Sequence, residues 1–111
     1  MKVKVKNIEF KVQVENNDTV TAFEKMLPLK IEMQELNSNE KYCYLDKRLP
    51  SKPIQISNIH EGDVLLYGDN CVVIFYKSFS TAYAYTKIGT IKDSAELAAV
   101  LGKGSVAVEF Y

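Results

Sequence analysis

Residues 62–76 read Gly-Asp-Val-Leu-Leu-Tyr-Gly-Asp-Asn-Cys-Val-Val-Ile-Phe-Tyr and contain two apolar runs separated by a turn. The runs at 64–67 and 71–76 are each of strand length, and the Gly-Asp-Asn between them is typical of a tight turn. A strand with one solvent-exposed face alternates apolar and polar residues, whereas these two runs have apolar residues at both alternating sets of positions. We therefore expect both of their faces to be covered, one by the core and the other by another element.

The sequence before this stretch predicts two hairpins, a short helix and a loop. Residues 3–14 alternate apolar and charged side chains around a turn at Asn7, which is typical of two half-buried antiparallel strands. A helix of about ten residues follows, with Asp18 or a Thr21–Glu24 capping box at its start and Pro28 after its end. Residues 29–45 alternate again and form the second hairpin, and the proline- and serine-containing residues 46–60 form a long surface connection.

The sequence after this stretch predicts further strands and a second helix. Residues 77–85 are small, polar and aromatic, and lead into a strand that ends near Ile91. Asp93 with Glu96 is a second N-cap pairing, and an apolar stripe over residues 94–101 ends at glycines that can stop a helix. Residues 105–111 alternate once more and form the last strand.

The elements together number about eight strands and two short helices in the order β-β-α-β-β-β-β-β-α-β, which makes the fold class mainly β. Eight short antiparallel strands leave two open edges unless the sheet closes on itself. Two helices are too few to cover a flat sheet, but they suit the ends of a barrel filled by side chains. We expect a closed antiparallel eight-stranded barrel with two short helices at its ends, formed by one domain over residues 1–111.

Composition and charge disfavour several classes of function. The 111 residues include 14 basic and 14 acidic side chains, so the chain lacks the basic surplus that phosphate-backbone binding needs. The N-terminal residues 1–6 alternate lysine with apolar residues, unlike a signal peptide, and no apolar run approaches the ~20 residues of a membrane span. We expect a cytoplasmic protein with no nucleic-acid or membrane partner.

Cysteine and histidine offer little for redox, metal or cofactor chemistry. Cys43 and Cys71 are 28 positions apart without a CxxC motif, which favours two reduced thiols, although a disulfide between neighbouring strands stays open. His60 lies beside Glu61 and Asp63, but a single histidine without further ligands at metal spacing is more often a solvated loop residue. We expect no metal and no cofactor.

A concentration of aromatic residues supplies the candidate ligand-binding site. Six aromatic residues lie within nineteen positions, and a tyrosine combines an apolar ring with a polar hydroxyl. Tyr83 and Tyr85 share a strand face and are the favoured pair, whereas Phe75 and Tyr76 are adjacent and face opposite sides. The alternative is that most of these residues belong to the core. The candidate ligand-binding residues are Tyr67, Asn70, Phe75, Tyr76, Ser78, Phe79, Tyr83 and Tyr85.

Several stretches resemble the cyclophilin family. Residues 19–27 (Thr-Val-Thr-Ala-Phe-Glu-Lys-Met-Leu) resemble the first cyclophilin helix, and residues 62–70 resemble the strand and turn before the substrate strand. Residues 85–91 and the helix at 94–101 resemble the last strand and helix of that family. The run from Tyr67 to Phe79 is more similar still to small prokaryotic cyclophilin-like domains, which are barrels of mostly unassigned function. The resemblance covers essentially the whole chain and implies the same barrel.

The resemblance implies peptidyl-prolyl isomerisation, but two of the family's functional residues are missing. Cyclophilins place an arginine, within a Phe-His-Arg stretch, beside a twisted prolyl amide, whereas residues 29–45 contain no arginine and the only one is Arg48. The glutamine of the family's substrate strand is absent near residues 70–73. We therefore expect a non-catalytic module that binds a proline-containing peptide or a small molecule. The alternative is a weak or atypical peptidyl-prolyl cis-trans isomerase that uses Arg48.

Overall fold

The computed structural model describes residues 1–111 and contains eleven strands, two α-helices and one 3₁₀ turn. The strands are β1 (Lys2–Val5), β2 (Ile8–Val14), β3 (Leu29–Leu36), β4 (Glu40–Tyr44), β5 (Ile54–Gln55), β6 (Asn58–Ile59), β7 (Asp63–Tyr67), β8 (Cys71–Phe75), β9 (Phe79–Ser80), β10 (Ala84–Ile91) and β11 (Val106–Phe110). The helices are α1 (Asp18–Glu24) and α2 (Leu97–Leu101), and the 3₁₀ turn spans Ser94–Glu96. Neither helix could cross a membrane, because they have seven and five residues.

Eight of the strands form a closed antiparallel barrel, which confirms the predicted fold. Their order is β2-β1-β11-β3-β4-β8-β7-β10, and pairing of β10 with β2 closes the ring. The short β5 pairs with β10 outside the ring, and β6 pairs with β9 in a separate ribbon. The predicted long connection at residues 46–60 was therefore incomplete, because its second half contributes two short strands.

Both helices fill the barrel with apolar side chains, but their start signals differ from the predicted ones. Asn17 caps α1 by accepting a hydrogen bond from the Val20 amide at 2.8 Å, so the predicted caps at Asp18 and Thr21 were wrong. Asp93 makes no capping hydrogen bond and has a left-handed backbone, with φ of 52°, so that pairing was also wrong. Asn17 can cap α1 because its backbone is extended, with φ of −149°, whereas no side chain caps the 3₁₀ turn or α2.

The strand β8 is buried on both faces, as the apolar run at 71–76 predicted. Val72 and Ile74 point into the barrel, within a cluster of 21 buried residues that includes the apolar side chains of both helices. Cys71, Val73 and Phe75 point outward into a second cluster. Ile59 belongs to this cluster, and Ile56 and Phe79 pack against it. Residues 54–60 and 77–83 thus lie against the outside of the barrel, beside β7, β8 and β10.

A buried lysine joins the wall of the barrel to the end of α2. Lys41 is fully buried, and its Nζ donates hydrogen bonds to the carbonyl oxygens of Gly102 at 2.8 Å and Gly104 at 2.6 Å. The same Nζ lies 3.0 Å from Oε1 of Glu35, which also accepts a hydrogen bond from the Tyr76 hydroxyl at 2.6 Å. Burial acts to raise the pKa of Glu35, but the hydrogen bonds from Tyr76, Lys41 and Ser38 outweigh it and hold the pKa below its usual value.

Replacing this lysine tests whether the network holds the barrel end. Lys41→Met leaves Glu35 without its cation and removes the donor from two carbonyl groups, so we expect a loss of about 3 kcal/mol in the free energy of unfolding. Chemical denaturation of both proteins at neutral pH measures it. Lys30→Met removes the same charge from an exposed position on β3 and serves as the control. An equal loss in the two variants would contradict a structural role for Lys41.

The closure of the barrel depends on a glycine at the β10–β2 junction. Gly89 lies at a bulge in β10 and pairs with Val14 on one side and Val64 on the other. A Cβ atom at this position would lie 2.6 Å from the carbonyl oxygen of Gln13 and 2.9 Å from Cγ1 of Val12, which is too close for either contact. The two strands can therefore approach closely enough to pair only if residue 89 has no side chain.

Gly89→Ala should consequently destabilise the protein by about 2–3 kcal/mol, because the backbone of β2 must move away. The matched control is Gly68→Ala, where φ is +62° but no atom lies within 4 Å of the added Cβ. That control should lose only about 1–2 kcal/mol, which is the cost of a left-handed alanine. Thermal unfolding of both variants measures the difference, and a larger loss for Gly68→Ala would refute this account of closure.

Candidate functional site

An open cleft of about 520 Å³ lies on the outside of the barrel across β8. Its floor is formed by Cys71 and Val73, and its sides are formed by β4 and by the edge of the 79–83 segment with β7 and β10. Ten of its fifteen lining residues are hydrophobic, and five of them are tyrosines. The lining residues are Leu36, Asn37, Asn39, Glu40, Tyr42, Tyr44, Tyr67, Cys71, Val73, Phe79, Ser80, Thr81, Ala82, Tyr83 and Tyr85.

The tyrosines form two groups on opposite sides of the floor. Tyr42 and Tyr44 project from β4 with their ring centroids 5.9 Å apart and nearly perpendicular. On the other side, the ring centroid of Tyr67 lies 6.0 Å from that of Tyr83 and 5.7 Å from that of Tyr85. These separations lie within the range of favourable aromatic pairs, so each group supports its own geometry. The result is a preformed cleft with aromatic rings on both walls.

The cleft contains one charged side chain, Glu40, at the start of β4. Glu40 pairs with Phe75 across the β4–β8 ladder, and strand alternation directs it to the outer face together with Tyr42 and Tyr44. The residue is only 9% exposed, and no hydrogen bond or ion pair of the protein reaches its carboxylate. Burial, followed by the charge of Glu35, raises the pKa of Glu40 above its usual value.

The Tyr85 hydroxyl and the Cys71 thiol in the cleft are both protonated at physiological pH. Burial, followed by the charge of Glu40, raises the pKa of Tyr85 to about 12, so its hydroxyl keeps its proton. Burial, followed by Cys43 and Glu40, raises the pKa of Cys71 to about 11. A thiol in this state is a weak nucleophile. These groups can take part in hydrogen bonding and apolar contact.

The structure brings four of the sequence-predicted residues into this cleft. Tyr67, Phe79, Tyr83 and Tyr85 all line it, and the favoured pair differs in burial, since Tyr83 is 62% exposed and Tyr85 is buried. Phe75 lies beneath them and contacts the rings of Phe79 and Tyr85, both at 5.7 Å. The aromatic residues between positions 67 and 85 therefore include some that line the cleft and some that belong to the second hydrophobic cluster.

The other predicted residues lie outside the cleft. Tyr76 turns into the barrel, where its hydroxyl bonds Glu35. Asn70 donates its side-chain amide to the carbonyl oxygen of Leu45, and the hydroxyl of Ser78 accepts a hydrogen bond from the Glu61 amide, so both serve turns. Arg48 is 86% exposed, lies 3.7 Å from Asp69 and lines a different depression beside α1.

Sequence reasoning missed Glu40, Tyr42 and Tyr44. The three residues occupy one phase of β4, and the alternation over residues 29–45 predicts only a hairpin there. Period-two alternation could have grouped them on one face. It could not have shown that this face adjoins Cys71 and Val73, because β4 and β8 are separated by 26 residues between Tyr44 and Cys71 and meet only through closure of the sheet.

Neither cysteine nor histidine forms a metal or disulfide site. Cys43 pairs with Val72 and packs against the barrel interior, whereas Cys71 pairs with Tyr44 and belongs to the outer cluster. The two thiols are unpaired because they point to opposite faces of the sheet. No group of three histidine, cysteine or acidic residues is arranged to hold a metal ion, and His60 lies 3.9 Å from Asp63 alone.

The chain belongs to the cyclophilin-like family, whose model matches residues 3–111. Its fold is similar to the solution structure of the hypothetical protein AF2241 from Archaeoglobus fulgidus, with a TM-score of 0.62 and 22% sequence identity over 97% of this chain and 89% of that one. No curated protein matches the sequence. The family membership confirms the resemblance seen in the sequence, and the archaeal structure supports the fold alone.

Removing the charge of Glu40 should stabilise the protein. A carboxyl group whose pKa is raised by folding destabilises the folded state above that pKa, and this loss disappears below the unfolded pKa of about 4. Glu40→Gln should therefore be more stable than the wild type at pH 7 and equally stable at pH 3. Denaturant unfolding at both pH values measures this, with Glu96→Gln, at an exposed position, as the control. A destabilised Glu40→Gln at pH 7 would show that the carboxylate has a partner.

Proposed function

We propose that the protein is a non-catalytic binding module that holds a peptide segment or a small organic ligand in the tyrosine-lined cleft. The observation that carries the proposal is the preformed concave surface of about 520 Å³ with aromatic rings on both walls. Clefts of this volume suit small ligands and extended peptide segments. Tyrosines give such a site apolar contact area and hydroxyl groups at a low cost in side-chain entropy.

The exposure of the cleft tyrosines supports this proposal. Tyr44 is 63% exposed, and Tyr67 and Tyr83 are also among the few large hydrophobic residues that remain exposed. A cluster of exposed aromatic rings on a concave surface is typical of an interaction site, since scattered apolar residues would carry no such meaning. A ligand between the two walls would cover ring surface that is now in contact with water.

The residues of the cleft also favour binding over isomerase catalysis. Rotation of a prolyl amide is accelerated by a positive group placed beside the twisted bond. Arg48 is directed to Asp69 in another depression, and no lysine or arginine is among the lining residues. The charge at this site is the carboxylate of Glu40, whose sign is opposite to the one required.

Chemical-shift mapping tests the proposal. The neutral peptide acetyl-Ala-Pro-Phe-amide and small aromatic fragments are titrated into ¹⁵N-labelled protein, and the largest shifts are expected at residues 40–44 and 79–85. Tyr83→Ala should weaken binding about tenfold, which is the typical loss when an aromatic anchor is truncated. Tyr111→Ala removes a tyrosine that does not line the cleft and should leave binding unchanged.

Three outcomes would overturn the proposal. Shifts confined to other surfaces, or no shifts with any probe, would remove the cleft as the binding site. Exchange spectroscopy on the same peptide measures cis–trans interconversion of its prolyl bond. Acceleration that is lost in Arg48→Ala would show that the protein is an isomerase instead.

A further inference from the structure

We infer that the ligand of the cleft carries a positively charged amine, and that Glu40 is its counter-ion with the tyrosine rings around it. This inference rests on the proposed binding function and specifies the chemical class that the cleft selects. It covers an ammonium group on an alkyl or arylalkyl chain, whether the chain is a free small molecule or a lysine side chain within a peptide.

The charges of the cleft point to a cation. Glu40 is the only charged residue among the fifteen that line it. The remaining polar groups are amides and hydroxyls, which can bond an ammonium group through their oxygen atoms. A carboxylate or phosphate ligand would instead face the charge of Glu40 with no basic side chain to offset it. Charge complementarity therefore selects a cationic ligand.

The carboxylate of Glu40 lacks a partner within the protein. The nearest lysine in sequence, Lys41, points to the opposite face of β4, where Glu35 and two carbonyl oxygens occupy its ammonium group. No side-chain oxygen in the structure is both fully buried and without a hydrogen bond, so the oxygens of Glu40 must reach solvent through the cleft. A buried carboxylate of this kind gains most from a cation that arrives with the ligand.

The aromatic walls suit the same group. The face of an aromatic ring is electron-rich and attracts an ammonium ion that lies within about 6 Å of the ring centroid. This chain already makes two such contacts, with Nζ of Lys41 5.6 Å from the ring of Tyr76 and Nζ of Lys4 5.2 Å from that of Tyr111. The nearly perpendicular pairs Tyr42–Tyr44 and Tyr67–Tyr83 present ring faces in different directions around the cleft.

A matched pair of probes separates charge from shape. Phenethylammonium and 2-phenylethanol have nearly the same size, but only the first carries a charge. Both compounds are titrated into ¹⁵N-labelled wild-type protein and into the Glu40→Gln and Glu96→Gln variants. We expect the wild type to bind phenethylammonium about tenfold more tightly than the alcohol, as a charge-assisted contact implies. Glu40→Gln should lose this preference, and Glu96→Gln, which removes a charge outside the cleft, should keep it.

A second pair of probes identifies the source of the amine. Nα-acetyl-lysine-methylamide is a peptide-like compound with a charged ε-ammonium group, and acetylation of its Nε atom removes that charge. Tighter binding of the charged form than of phenethylammonium supports a lysine-containing peptide, and the reverse supports a free amine. Retained dispersion of the amide spectrum shows that Glu40→Gln is folded.

The outcomes distinguish this inference from the proposed function. If the alcohol and the acetylated probe bind as tightly as their charged partners and Glu40→Gln changes nothing, charge selection is wrong but the binding module stands. Binding of acetyl-Ala-Pro-Phe-amide without binding of either ammonium probe has the same meaning. Loss of binding for every probe would overturn both.

Discussion

Both faces of the strand β8 are buried, and the arrangement of the outer surface follows from this constraint. Its inward residues need the barrel and its helices, whereas Cys71, Val73 and Phe75 need a second cover. Residues 54–60 and 77–83 provide that cover by lying against the outside of the barrel. Because the cover and β4 stand on opposite sides of β8, the space between them becomes the cleft. Burial of one strand thus accounts for a second core and for a concave surface beside it.

The cleft combines features that stability alone would not select. A partly buried carboxylate without a partner and several exposed tyrosine rings both disfavour the free, folded protein. The barrel interior shows the opposite behaviour, because every polar group of the Lys41 network has a partner. Polar groups that have partners in the interior but lack them at one surface site are expected where the missing partner is a ligand. The features that disfavour the free, folded protein are therefore concentrated in the cleft.

The sequence predicted the barrel because the fold depends on patterns that single strands display. The two-phase apolar run at residues 71–76, the alternation at residues 3–14 and the apolar helix faces all matched the structure. The cap at Asn17 was missed because several neighbouring polar residues could each have capped α1, and the predicted cap at Asp93 was wrong because its side chain makes no capping hydrogen bond. The site was only half predicted, since Tyr83 and Tyr85 lie near β8 in sequence whereas Glu40 and Tyr44 reach it only through strand pairing. Local pattern therefore predicted the elements, and tertiary closure determined the site.

Glu40 and Lys41 are adjacent in sequence, yet the thickness of the sheet separates their charges. The turn at residues 37–39 sets which of them faces outward, because Leu36 pairs with Glu40 and Glu35 with Lys41. Insertion of one residue into that turn, if taken up by a one-residue shift of the β3–β4 register, would place Glu40 opposite Glu35 and Lys41 opposite Gln34, and would exchange the two side chains between the faces. The cleft would then present an ammonium group and the barrel would enclose two carboxylates. The length of one short turn therefore determines the polarity of a surface that the turn itself only borders.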